Sequence, residues 1–210
     1  MNPNPQEAIT WRAADLVGLH QANIDSEAGG FAVVEVIRDG RVIAVLFPPD
    51  DAQEAAMRMA PLFRAAVVIV AMEADLTEHE EVQSEALLIT SFSKDESAGL
   101  IVPFDRDFAE YRDPLGGDIS GTHEEWVRSG FHQLHQATPT MSAVRSAFDI
   151  SDFEARVRED CAVAKELIRA GVIVALNSEP GSEKIIEESF EDFDAQVSFP
   201  EPSFGPISMN

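Results

Sequence analysis

Two β-rich runs, Phe31–Arg38 and Arg41–Phe47, are separated by one dipeptide, Asp39-Gly40. This feature restricts the fold more than any other in the chain. Asp-Gly accepts positive φ at both central positions of a tight turn, which is what a two-residue hairpin loop requires. Pro48-Pro49 stops the second run, and Asp50 or Asp51 can cap a helix that carries Glu54 in its first turn. Ala52, Ala56, Met59 and Phe63 share one face of that helix. Pro61 lacks the amide that the next turn needs, so the helix should end or kink there. Ala65–Met72 follows, apolar on both faces, as a central strand reads.

The other elements fall around this centre. Ile9, Ala13, Leu16 and His20 recur at helical spacing after Pro3 and Pro5, which predicts a first helix over Gln6–His20. Gln21–Gly30 is a polar loop. The acidic stretch Glu73–Ser84 reads as a second loop, and Glu85–Phe92 with Gly99–Phe104 as a second hairpin. Asp105–Gly121 is polar and broken by Pro114 and Gly116-Gly117, so it is a long loop of the kind that carries function. Thr122 with Glu125 forms a capping box for a helix reaching about Gln136, and Pro139 lies beyond it. Ser151 with Glu154 forms another, for a helix bearing Phe153, Val157, Cys161, Ala164 and Ile168. Gly171 stops that helix and Val172–Leu176 reads as the last strand.

The expected order is therefore α-ββ-α-βββ-α-α-β. The fold class is α/β, of the α+β-like kind: a mixed sheet with two β-hairpins and helices packed on it. Residues 1–177 read as one compact domain, and residues 178–210 as an extended acidic tail with aromatics and prolines. The order of the first seven elements resembles that of profilin-like and roadblock-like sandwiches, although no motif carries the likeness. Folds of that kind imply binding, regulation or scaffolding rather than a particular chemistry.

Charge narrows the partners. The chain holds 38 acidic against 15 basic side chains, a net charge of −23. The tail accounts for eight acids against one base, Lys184, so most of the excess belongs to the domain. Such a surface repels nucleic-acid backbones and anionic membranes and attracts cations and basic proteins. Twelve arginines against three lysines fit a high-GC coding bias or adaptation to salt as well as any function. One cysteine, Cys161, excludes an intramolecular disulfide and a multi-cysteine metal site. The first ten residues lack the basic stretch and apolar run of a signal peptide. The longest apolar run, Ala65–Met72, falls far short of the ~18 residues of a membrane span. A soluble, cytoplasmic protein is expected.

Three clusters bear on chemistry. His132 and His135 stand one helical turn apart, with His123 at the start of the same helix, and Asp118 or a glutamate could complete a divalent-metal site. The spacing lacks the adjacent glutamate of zinc-protease helices, and surface histidines are the plainer reading. Asp105 and Asp107 directly follow a strand, from which paired carboxylates could serve acid–base or metal chemistry. The dense acids from Glu73 to Glu81 could hold magnesium or calcium, yet lack the turn glycine of a calcium loop. In a chain this acidic, such clusters also arise by chance. Phe190, Phe193, Phe199 and Phe204 are the candidate partner-binding residues of the tail. Neither a nucleophile elbow nor a phosphate loop occurs, so no organic cofactor is implied.

Taken together, these features lead to an acidic accessory or interaction protein that binds a protein partner, a basic one or a second copy, and neither nucleic acid nor membrane. The alternatives are a divalent-metal-dependent hydrolase using Asp105, Asp107 and Asp118 with His123, His132 or His135, and a DNA-mimic inhibitor.

Overall fold

The structure, a computed structural model of the 210-residue chain, describes residues 2–26, 29–78, 81–106, 108, 110–116, 123–134, 151–177, 179–191 and 193. Helix α1 spans Pro5–Asp25. Asn4 starts it through a reciprocal box: its side chain accepts from the Glu7 amide at 2.9 Å, and the Glu7 carboxylate accepts from the Asn4 amide at 3.0 Å. Strands β1 (Ala32–Arg38) and β2 (Arg41–Phe47) form the hairpin that Asp39-Gly40 dictates. Asp39 and Gly40 both have positive φ, 52° and 70°.

Helix α2 (Gln53–Met59) lies between 3-10 turns at Asp50–Ala52 and Ala60–Phe63. Asp50 and Asp51 make up the first of these turns instead of capping the helix, and neither makes a cap hydrogen bond. The α-helix gives way to the second 3-10 turn just before Pro61, as a residue without an amide requires.

Strands β3 (Val67–Glu78), β4 (Glu81–Phe92) and β5 (Ser97–Asp105) follow. Two short pieces, β6 (Glu110–Tyr111) and β7 (Leu115–Gly116), both pair with β5. Helix α3 covers residues 123–134. Then come α4 (Asp152–Arg169), β8 (Ile173–Leu176) and α5 (Glu183–Phe190). Ser151 caps α4 by accepting from the Glu154 amide at 3.1 Å. Gly171 ends it at φ 88°.

The eight strands form one sheet in the order β6-β5-β4-β3-β1-β2-β8, with β7 beside β6 on the same edge. The fold is α+β, with helices packed on a sheet that contains both expected hairpins. Every pairing is antiparallel, where a mixed sheet was expected. The cause is that β8 returns beside β2 rather than beside a strand running its own way.

Two further expectations are corrected. Glu73–Ser84 is not a loop, because β3 and β4 continue pairing as far as Glu78↔Glu81. Met72, Ala74 and Leu76 alternate with Glu73, Asp75 and Thr77, and that period of two keeps the ladder going beyond the buried sheet. Residues 183–190, expected within an extended tail, form α5 against α4. Ile185, Ile186 and Phe190 give this short helix an apolar side among its acids.

The sheet has a core on each face. On one, Val34, Val36, Leu46, Val68 and Phe92 meet Met57, Val127, Phe131 and Leu167 from α2, α3 and α4 and Phe63 from the second 3-10 turn. On the other, Val33, Ile37, Ile69, Leu87 and Ile89 meet Ala8, Ile9 and Leu16 of α1. Each of the valine, leucine, isoleucine, methionine and phenylalanine side chains contributes about 1.5–3 kcal/mol on burial. Gly130 lets α3 come close to α2, since a Cβ there would stand 2.1 Å from the Arg58 carbonyl oxygen.

Candidate functional site

Helix α1 rests on β3, β4 and β5 and leaves the other half of its face uncovered among the described residues. Strand alternation puts Glu35 of β1, Val45 and Phe47 of β2, and Ile173 and Ala175 of β8 on that half. Trp11 and Leu19 of α1 form the opposite wall. The result is an open trough of 480 Å³. Beyond Leu19 and Phe47 it continues into a second stretch of 510 Å³, flanked by Asn23, Pro49 and Gly171. Three large apolar side chains stay exposed along it: Trp11 at 48%, Phe47 at 36% and Ile173 at 51%. Isolated exposed apolar residues are ordinary, but a row lining one concavity is the mark of a contact surface.

The trough also has a distinctive charge. Glu35 is fully buried in its floor, and Arg12 holds it bidentately, Nε to Oε2 and Nη2 to Oε1, both at 2.8 Å. These paired bonds are the main reason the Arg12 guanidinium is pushed above its ordinary range. Arg12 also pairs with Asp15 and lies 5.5 Å from the Trp11 ring centroid. Arg41 stands at the rim. Among the described residues, the charged side chains lining the trough are Arg12, Glu35 and Arg41, and Arg12 is shared between Glu35 and Asp15.

Beneath α1, His20 anchors a second polar cluster. Its Nε2 lies 2.8 Å from Glu73 Oε1 and its Nδ1 2.8 Å from the Tyr111 hydroxyl. A carboxylate only accepts, so Nε2 carries the proton, and neutral Nδ1 then accepts from the Tyr111 O–H. Both ring nitrogens are satisfied in the uncharged form. Burial holds the His20 pKa below its ordinary value, against the opposing pull of Glu73. Phe31 and Phe104 enclose the ring edge-on, with centroids at 5.0 and 4.6 Å. Glu73 continues outward to Arg106 at 3.0 Å, and Arg106 to Glu85 at 3.2 Å. His20 is fully buried, so the network ties α1 to the β3–β4 hairpin and to β6 rather than meeting a ligand.

A third cluster lies on the opposite face. Arg38 reaches Asp160 of α4 through bonds of 3.0 and 2.8 Å and donates to the Phe63 carbonyl at 2.7 Å. Burial raises the Asp160 carboxyl, and Arg38 opposes the rise. The neighbouring Cys161 is buried, which pushes its thiol up and suits packing rather than nucleophilic attack.

Of the candidates read from the sequence, the described residues place Asp105 in β5 and His123 and His132 on α3. Asp105 ends β5 and accepts from the Phe108 amide at 3.3 Å. His123 is half-buried at the start of α3, edge-on to Trp126 at 5.5 Å, and burial lowers its pKa. His132 is exposed near the other end of α3. Among the described residues, no three of His, Cys, Asp and Glu stand where they could hold a metal ion. Asp107, Asp118, His135, Phe199 and Phe204 lie outside the described residues. Phe190 packs against the core from α5, and Phe193 stands edge-on to it at 5.5 Å, both over Lys165. No helix among the described residues is long and apolar enough to cross a membrane.

Trp11, Arg12, Glu35, Phe47 and Ile173 were not singled out by sequence as a site. A signal did exist at Glu35, a lone charge inside the apolar run Phe31–Ile37. A charge in such a position must be paired or must face an opening. The chain matches no protein-family model, none of the curated proteins and none of the solved structures.

Proposed function

We propose that this chain is an accessory protein that binds another protein through the trough between α1 and β2–β8. One observation carries the reading: Trp11, Phe47 and Ile173, all exposed, line a single continuous concavity. Aromatic anchors set in a pocket dominate protein–protein contacts. The floor spans β1, β2 and β8, about 10 Å at the usual strand spacing, and an α-helix with its side chains is about 10–12 Å across. A partner helix laid beside α1 would complete a layer that α1 begins. Arg41 at the rim favours an acidic residue flanking that helix's apolar stripe.

The test places a photo-crosslinking side chain at position 11 or 47 of the full chain in its native cells. One protein species should be captured from both positions and lost in Ile173→Asp, with the circular dichroism unchanged. Control capture from Asp95, exposed at the turn between β4 and β5, should not yield it. Equal capture from position 95, or no change in Ile173→Asp, would overturn the reading.

A further inference from the structure

Helix α1 has an outer face that its own packing does not explain. Apart from buried His20, the only ionisable side chains between Thr10 and Ala22 are Arg12 and Asp15, which pair with each other. Trp11, Ala14, Gly18 and Ala22 are all exposed, at the spacing of three and four residues that puts them on one side. A surface helix ordinarily turns charged side chains outward. Helix α4 does so with Arg158, Lys165, Glu166 and Arg169. Gly18 sharpens the contrast. Glycine is the least favourable helix residue after proline, yet among the described residues a Cβ at Gly18 would meet nothing within 4 Å. No contact among them asks for glycine there, whereas the close approach of another backbone would.

The trough beside α1 asks for a helix with such a face. Its floor is one helix wide, and exposed Phe47 and Ile173 need an uncharged surface against them. Two copies of the chain satisfy both needs at once. A two-fold axis running along α1, between it and the trough, carries α1 into the place beside itself. The same rotation puts the second sheet on the far side of the helices. Each α1 then lies in the other copy's trough, its outer face on the other's floor, and the two helices run parallel.

Parallel helices also match the charges. The first turns of α1 lie at the β1–β2 turn, where the Gly40 amide donates to Asn2 Oδ1 at 3.3 Å and Arg41 stands at the rim. Leu19 and Ala22 lie at the Phe47 end. Glu7 is exposed one turn before Trp11 on the outer face, so the second copy's Glu7 comes to the end of the trough that Arg41 borders. Its Gly18 and Ala22 come to Phe47 and Ile173. Asp15 of each copy stays with its own Arg12 near the axis, and Asp25, past Ala22, is held by Gln21 Nε2 at 2.8 Å. The area is also adequate. At 21 residues α1 is about 31 Å long, so a strip about 10 Å wide covers about 300 Å². Outer face and floor together come to about 600 Å² on each chain before side-chain relief is added, near the ~800 Å² per partner of a standard interface.

We propose that two copies of this chain pair through these faces, each laying its α1 in the other's trough. The proposal rests on the reading of the trough as a protein contact and names a second copy as its occupant. The two sheets then enclose one layer of two helices, which α1 alone fills by half. A contact of this size assembles reversibly, so dilution returns the single chain.

In sedimentation equilibrium, the purified full chain of 22.9 kDa should double its mass as concentration rises through the micromolar range. Gly18→Leu obstructs the closest approach of the helices and should weaken pairing at least about 10-fold, with circular dichroism unchanged. Gly18→Ala should do so to a smaller extent. Ala22 lines the trough side of α1, so Ala22→Cys should form a disulfide with its own counterpart under mild oxidation. Ala162→Cys, exposed on α4 at the opposite face, should not, and Cys161 is buried and does not compete. A chain that stays monomeric at the highest concentration, pairing untouched by Gly18→Leu, or equal crosslinking from positions 22 and 162 would each overturn the proposal. A monomeric chain that still captures another protein from positions 11 and 47 in cells removes the second copy but keeps the trough as a contact surface. Pairing that Gly18→Leu leaves intact, with no capture from either position, removes both.

Discussion

The two faces of this sheet use the same materials to different ends. Each carries a part-buried arginine–carboxylate pair joined by two bonds, Arg38 with Asp160 on one face and Arg12 with Glu35 on the other. The first joins Arg38 of β1 to Asp160 of α4, beside the Phe63 carbonyl. The second borders an open trough with exposed aromatics. Among the described residues, α2, α3 and α4 pack on one face, while α1 covers only half of the other. Enclosure therefore separates the roles: the pair at Arg38 fixes α4 in place, whereas the pair at Arg12 shapes a surface that stays accessible.

Removing one partner from each pair probes that contrast most severely. Arg12→Met leaves Glu35, whose side chain is 1% exposed, without its bidentate cation and should cost about 3–5 kcal/mol in urea unfolding. Arg38→Met does the same to Asp160, but that carboxylate is 15% exposed and keeps Arg156 nearby, so its cost should be smaller. A cost for Arg12→Met below that for Arg38→Met would show that water fills the trough once the guanidinium is gone. The double replacement Arg12→Met/Glu35→Met should recover most of the loss, because neither charge then remains buried.

Gly130→Ala tests the closed face without any charge. Its methyl would meet the Arg58 backbone at 2.1 Å, which a side-chain rotation cannot relieve. A loss of about 1–3 kcal/mol is expected, as for other overpacked cores.

His20 probes the half of the α1 face that is closed. Burial holds it below its ordinary value of 6.5, so the unfolded chain takes up the proton first. The resulting stability is full above pH 6.5 and is lost as pH falls from there through the lowered folded value. Unfolding midpoints between pH 7 and 5.5 should fall more steeply for the native chain than for His20→Leu. That variant should itself be less stable at pH 7 by about 1–3 kcal/mol, because the Tyr111 hydroxyl loses its acceptor. Parallel pH curves for the two proteins would remove His20 as the cause.

The smallest stability effect should come from the trough itself. Trp11→Ser with Phe47→Ser is expected to move the unfolding free energy by no more than about 0.5 kcal/mol per site, as exposed positions usually do. With the crosslinking side chain moved to position 41 at the rim, capture of the partner should nevertheless disappear. A large stability loss would instead class these residues with the core and dissolve the contrast between the faces.

Much of this fold was legible along the chain because the relevant signals are local. Asp39-Gly40 alone specifies the first hairpin, and Ser151 with Glu154 marks the start of α4. Ile9, Ala13, Leu16 and His20 were placed on one face of α1, and all but the half-buried Ala13 are buried. The errors share a cause. Acidity between Glu73 and Ser84 masked a strand alternation, and acidity after Ser178 masked the apolar side of α5. In a chain this negative, charge is a weak sign of a loop, since surface faces of strands and helices carry it too. The candidate site was less legible. Its residues come from positions 11 to 47 and 171 to 177 and meet only because β8 pairs with β2.

The sequence by itself determined the first hairpin and its register, the start of α4 and the net charge of −23. Those depend on neighbouring residues or on sums over the chain, and neither requires knowing who packs against whom. Only the tertiary structure decided which half of a sheet face α1 covers, which arginine meets which buried carboxylate, and where exposed aromatics line up. These are contacts between residues far apart in the chain, and their geometry exists only once the strands have paired and the helices have settled.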